Sequence, residues 1–101
     1  MGPETTIHLE GRFFFDPDDP IYQDHFPGKP VVPGSLILHA FLEVLRQHGM
    51  PRPKAAEKFR FRRFVAPGSY PYRIHGSTEV LRCELSDGSQ ALATGILRSC
   101  S

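Results

Sequence analysis

The spacing of apolar residues changes character three times along the chain. From Thr5 to Phe15 it reads as a β-type run ending in Phe13-Phe14-Phe15, closed by the turn-rich Asp16-Pro17-Asp18-Asp19-Pro20. From Leu36 to Leu45 the residues Leu36, Ile37, Leu38, Ala40, Phe41, Leu42, Val44 and Leu45 cover most of a helix circumference, which predicts a buried helix. Its polar positions His39, Glu43, Arg46 and Gln47 fall on one stripe. Gly34 or Ser35 can cap its start after Pro33, and Gly49, Pro51 and Pro53 end it. Beyond the Pro-rich linker from Met50 to Lys54 the period becomes two. Between Glu57 and Val65, Phe59 and Phe61 alternate with Arg60 and Arg62, giving one buried face and one basic face. Pro67-Gly68 turns the chain into three further strands, Tyr70 to Ser77, Glu79 to Leu85 and Gln90 to Arg98, the last two joined at Ser86-Asp87-Gly88.

The predicted order is strand, loop, one buried helix, then four strands in antiparallel succession. A single, almost wholly apolar helix in a small sheet protein needs the sheet to wrap it. That predicts an α+β architecture of the hot-dog type, as one domain over residues 1–101.

Composition narrows the function classes. A formal net charge of +1 gives no global field for nucleic acid, and the basic strand is short. No apolar run reaches membrane-spanning length and no signal peptide is visible, so a cytoplasmic protein with no membrane partner is expected. Met1-Gly2 with Thr6 formally fits a myristoylation pattern, but Pro3 and the lack of a basic second anchor argue against it. Cys83 and Cys100 make no metal spacing, and the five histidines show no ligand clustering. No metal and no organic cofactor is expected.

The candidate chemistry sits in Asp24 to Glu43, DHFPGKPVVPGSLILHAFLE. Pro27-Gly28, Pro30 and Pro33-Gly34 stiffen the backbone and force sharp turns. This loop carries His25 and runs straight into a helix start. A titratable imidazole beside free helix-start N–H groups suits acid–base chemistry on a carbonyl substrate.

HFPGKPVVPGSLIL, followed later by KFRFRRFVAPG, resembles the β-hydroxyacyl-acyl-carrier-protein dehydratases of the FabZ and FabA type, over roughly residues 20 to 98. The resemblance implies a hot-dog homodimer with sites at the subunit interface, or a higher oligomer, or a pairing with a different hot-dog subunit. It also implies that His25 takes the α-proton of a 3-hydroxyacyl thioester. Backbone around Gly34 and Ser35 would polarise the carbonyl, with Phe26, Gly28 and Pro33 completing the substrate contacts. An acidic helix residue of the partner subunit handles the leaving hydroxyl in that family. Fourteen residues beyond His25, where the family has Glu or Asp, this chain has His39.

Three readings of that departure stand side by side. His39 replaces the carboxylic acid as a protonated imidazole held charged by Glu43 one turn on. Alternatively, Glu43 or Asp24 supplies the acid, or the position is inactive and the protein binds acyl thioesters or supports an active subunit. A hot-dog thioesterase is a further rival, with Glu43 activating water. Lys29, Lys58, Arg60, Arg62 and Arg63 form a candidate docking patch for an acidic acyl carrier protein and its phosphopantetheine arm, or else a merely solvated strand face. His8, His48 and His75 carry no assigned role, and Phe13 to Phe15 read as core or dimer interface.

Overall fold

The computed structural model describes residues 6–24 and 30–99, apart from the side chains of Gln23 and Asp24. Five strands make one antiparallel sheet: β1 (Ile7–Phe15), β2 (Ala55–Phe61), β3 (Gly68–Gly76), β4 (Val80–Ser86) and β5 (Ala91–Arg98). They lie in the order β1-β3-β4-β5-β2. A short helix α1 (Ile21–Asp24), absent from the sequence-based expectation, follows the Asp16–Pro20 turn, and the long helix α2 (Gly34–Gln47) packs on one face of the sheet.

Antiparallel succession holds only for β3, β4 and β5. The strand after the helix, β2, pairs with β5 at the far edge, while β3 pairs with β1. The connection 62–67 therefore crosses β4 and β5 and is no hairpin turn. Its path is fixed where the Val32 amide donates to the Val65 carbonyl at 2.7 Å.

Period-two burial selects the inner face. In β1 only Phe13 and Phe15 of the three phenylalanines enter the core, whereas Phe14 is 67% exposed. Ile37, Phe41, Val44 and Leu45 of α2 are buried against Ile74, Leu81, Leu85 and Leu97 of the sheet. Leu36 and Ala40 on one side of the buried stripe, and Leu38 and Leu42 on the other, are only partly buried, so the helix is not buried all round as its composition predicts. Aromatic rings knit the helix to the sheet. Phe41 meets Phe13 edge-on at 5.1 Å, Phe13 stacks on Tyr72 at 4.2 Å, and Phe59 lies 6.4 Å from Phe41.

Phe59 rests directly on the backbone of Gly95 on the neighbouring strand; a Cβ at position 95 would come within 2.4–2.5 Å of its Cγ, Cδ1 and Cδ2. Beside this contact the β2–β5 register slips between Glu57 and Arg60, and Lys58 takes a left-handed φ of 54°. The helix ends in a Schellman arrangement, with Met50 N–H donating to the Leu45 carbonyl and Gly49 N–H to that of Arg46, both at 3.0 Å, around Gly49 at φ 71°. In the β4–β5 turn the Asp87 carboxylate accepts from the amides of Ser89 and Gln90, each at 2.9 Å, which holds its pKa down at about 2.

Candidate active site

Pro33 sets the start of α2. It occupies the N-cap in extended backbone (φ −62°, ψ 145°), and its carbonyl receives the amides of Leu36 and Ile37. Among the described residues no side chain caps the helix. Among the described residues the Gly34 and Ser35 amides have no hydrogen-bond partner, so a helix start with free donors stands where the sequence places the carbonyl polariser.

A shallow apolar trough of about 240 Å3 opens beside these amides, lined by Val32, Pro33, Gly34, Ile37, Phe61 and Phe64 among others. Val32 and Ile37 form its buried floor, whereas Phe61 and Phe64 are 46% and 89% exposed. The Phe61 ring lies flat against Gly34: a Cβ there would sit 2.8 Å from its Cε2 and Cζ. The alternation of β2 predicts Phe61 in the core, but the strand ends at this residue and its ring faces the trough. Arg63 also lines the trough.

His39 is exposed on α2 and lines a different cavity, about 210 Å3, shared with Glu43, Arg46, Met50 and Arg52. Glu43 is engaged by Arg46, whose Nε donates to Oε1 at 2.9 Å while a terminal guanidinium nitrogen reaches the same oxygen. That hydrogen bond lowers the Glu43 pKa, with the nearby His39 a lesser contributor in the same direction. A carboxyl held ionised is poorly suited to donate a proton. His39 and Glu43 thus share one cavity, and Gly34 lies at another in the same protomer. His25, Phe26, Gly28 and Lys29, and the Asp24 side chain, lie outside the described residues.

The basic residues divide between two places. Lys58, Arg60 and Arg62 surround an open depression of about 350 Å3 on the sheet, together with His75 and Arg82. Cross-strand register puts His75 opposite Arg82, on the face turned away from the helix. Sequence reasoning left His75 and Arg82 out of this group, although the alternation of β3 and β4 carries both outward. Ion pairs do form elsewhere on that face, between Arg98 and Glu57 at 2.6 Å and between Arg73 and Glu10 at 3.3 Å. Among the described residues, no group of His, Cys, Asp and Glu could hold a metal ion, and no helix is long and apolar enough to cross a membrane.

A five-stranded antiparallel sheet packed against one long helix is the α+β arrangement of the hot-dog class. The chain belongs to the ApeI-like family, described as ApeI dehydratase, which matches residues 3–80. It is 32% identical over 100 residues to the 3-hydroxyacyl-[acyl-carrier-protein] dehydratase FabZ of Chloroflexus aggregans, covering 90% of this chain and 68% of that one. The FabZ of Thermus thermophilus is 44% identical over 61 residues, 50% of this chain and 43% of that one. The fold is shared with the dehydratase heterocomplex ApeI:P of Xenorhabdus doucetiae, at TM-score 0.67, 18% identity and coverage of 99% and 100%. It is also shared with an uncharacterized protein of Erwinia carotovora subsp. atroseptica, at TM-score 0.76, 18% identity and coverage of 97% and 86%.

Proposed function

We propose that this protein removes water reversibly from 3-hydroxyacyl thioesters carried by an acyl carrier protein, as a cytoplasmic hot-dog dimer. The observation that carries the reading is the start of α2, where among the described residues the Gly34 and Ser35 amides have no hydrogen-bond partner, shortly after His25 in the sequence. The names of the FabZ relatives support the substrate class.

The reaction balances with acid–base groups alone. His25 accepts the proton on the carbon next to the thioester carbonyl, and the electron pair moves into the carbonyl. The Gly34 and Ser35 amides donate hydrogen bonds to the oxygen as negative charge builds on it. The pair then returns to form the 2,3 double bond, the C3–O bond breaks, and the hydroxyl leaves as water with a proton from the partner subunit's His39. Drawing the acid from the second subunit accounts for His39 and Gly34 opening onto separate cavities in one protomer. Glu43, hydrogen-bonded by Arg46, stays ionised and does not donate the proton itself.

Two features support pairing of subunits: the open edge of β2 and the exposed Phe61 and Phe64 beside it. Arg63, which lines the trough, would receive the carrier's phosphopantetheine phosphate; Lys58, Arg60 and Arg62 would meet the acidic carrier on the outer sheet face. A second reading is favoured by His39 itself, which stands where related enzymes keep a carboxylic acid. In that reading the chain binds acyl thioesters or supports an active hot-dog partner.

Hydration of a crotonyl or longer 2-enoyl thioester, followed by loss of enoyl absorbance, separates the two. Turnover in the wild type that falls about 10²–10⁴-fold in both His25→Ala and His39→Ala supports the dehydratase. Silence on both carrier-protein and coenzyme A thioesters favours the supporting subunit, and a stable monomer in sedimentation would overturn the two-subunit site.

A further inference from the structure

The crossing loop 62–67 contains no strand or helix, yet both of its ends are held. The Arg62 amide donates to the Leu92 carbonyl at 2.8 Å, and the Tyr70 hydroxyl donates to the Ala66 carbonyl at 2.6 Å. Tyr70 stands near the start of β3, in register with Phe13 and with its ring 6.5 Å from that of Phe15, so the hydroxyl is presented from the sheet. One residue before Ala66, the Val65 carbonyl receives the Val32 amide at 2.7 Å, and both valines are 3% exposed. In Pro30-Val31-Val32-Pro33 the valines alone carry an N–H, so few donors can anchor this stretch. Pro33 then gives its carbonyl to Leu36 and Ile37 and begins α2. Two hydrogen bonds and short runs of backbone thus lead from the Tyr70 hydroxyl to the helix-start amides.

We infer that Tyr70 is a positioning residue for the reaction: its hydroxyl sets the crossing loop, and through the Val32–Val65 bond the loop aims the Gly34 and Ser35 amides at the thioester carbonyl. The inference rests on the dehydratase reading and adds to it a residue that acts through others. Burial of Ile37 and Phe41 fixes the axis of α2. The plane of the Pro33–Gly34 peptide, which carries the Gly34 N–H, is also set by the chain that enters from Val32, and Val32 is where the loop holds that chain. Donors to a developing oxyanion work through short, directed contacts, so a misplacement of about 1 Å costs on the order of 10²-fold in rate. A single neutral hydrogen bond is worth about 2–12-fold in an equilibrium, which bounds what loss of the hydroxyl alone does to that aim.

The test compares wild type, Tyr70→Phe and a protein carrying the α-hydroxy acid analogue of valine at position 32, an ester that deletes the Val32 N–H and keeps every side chain. Turnover of a crotonyl thioester is measured beside the infrared stretch of a bound butanoyl thioester, isotope-labelled at its carbonyl carbon. Tyr70→Phe is expected to lower kcat about 2–12-fold at unchanged KM and to move the bound carbonyl band back toward that of the free thioester. The ester should do both to a greater extent, and adding Tyr70→Phe to it should change little, since both cut one path. An unfolded fraction lowers kcat but leaves the band of bound thioester in place. A fall in kcat with the band unmoved therefore overturns the inference. So do a rate and band unchanged in Tyr70→Phe, whatever the ester does, and either result leaves the dehydratase reading intact. A wild type without turnover whose bound carbonyl band still depends on Tyr70 overturns the dehydratase reading while the positioning stands. Absence of all thioester binding overturns both. Melting curves identify a variant that fails to fold; if that is Tyr70→Phe, Tyr70→O-methyltyrosine, which keeps the oxygen and lacks the donor, decides.

Discussion

At the scale of single residues, the chemistry of a side chain here follows from what touches it. Cys83 is 2% exposed on the inner face of β4, and burial pushes its thiol up to about 12. In a Cys100→Ser background it should resist iodoacetamide at about pH 8 in the native state and react within minutes in denaturant. Fast native labelling would show that β4 opens locally. Glu43 gives the converse case. Spacing offers it two partners on the helix stripe, His39 and Arg46, and sequence reasoning pairs it with His39. Arg46 takes the hydrogen bond because a guanidinium presents several fixed donors to one carboxylate. The substitution of His39 for a helix acid is plain from the sequence alone. The exposure of Phe61 is not, because period two marks it as buried and only the end of the strand turns it outward.

Elements obey the sequence where local rules act alone. The Ser86-Asp87-Gly88 turn forms as its composition requires, with Gly88 at φ 97° and Asp87 gathering the amides that follow. Its carboxyl is lowered from 3.8 to about 2 in the fold, so its contribution to stability is complete above pH 3.8 and is lost as pH falls through about 2. Asp87→Ala should therefore lower the urea midpoint clearly at about pH 6 and barely at about pH 2, where the wild type has lost the same interaction. An equal deficit at both values would mean that the side chain acts through packing. The helix is legible to within a residue or two, yet its cap is not: Gly34 and Ser35 are the candidates, and Pro33 holds the position without a side-chain bond. For β2, the spacing suggests a strand to Val65. It stops at Phe61, because beyond the Arg62 amide, which donates to Leu92, the chain turns to meet Val32.

For the molecule as a whole, one helix closes a five-stranded sheet, and Phe41 is the residue through which most of that closure passes. It is fully buried and in ring contact with Phe13, Phe59 and Tyr72. Phe41→Ala should cost about 3–5 kcal/mol. A domain of this size is stable by only about 5–15 kcal/mol, so the variant should melt many degrees lower and over a broader range. A shift of a few degrees would show that neighbouring rings collapse into the vacancy. The hot-dog class is readable from one apolar helix among strands. The placement of β2 at the far edge is not, since pairing across the sheet depends on a crossing loop that no local pattern encodes. The division of the basic residues between the trough and the outer face follows from that same crossing.

Two rings seated on two glycines, Phe61 on Gly34 and Phe59 on Gly95, also constrain how such a sequence can drift. A methyl group added at position 95 meets the ring, whereas trimming the ring first leaves only a void. The order of change is therefore fixed: the aromatic must shrink before the glycine can grow. A lineage that has gone down that route cannot return by a single step, because restoring the ring over an occupied seat is the same collision approached from the other side.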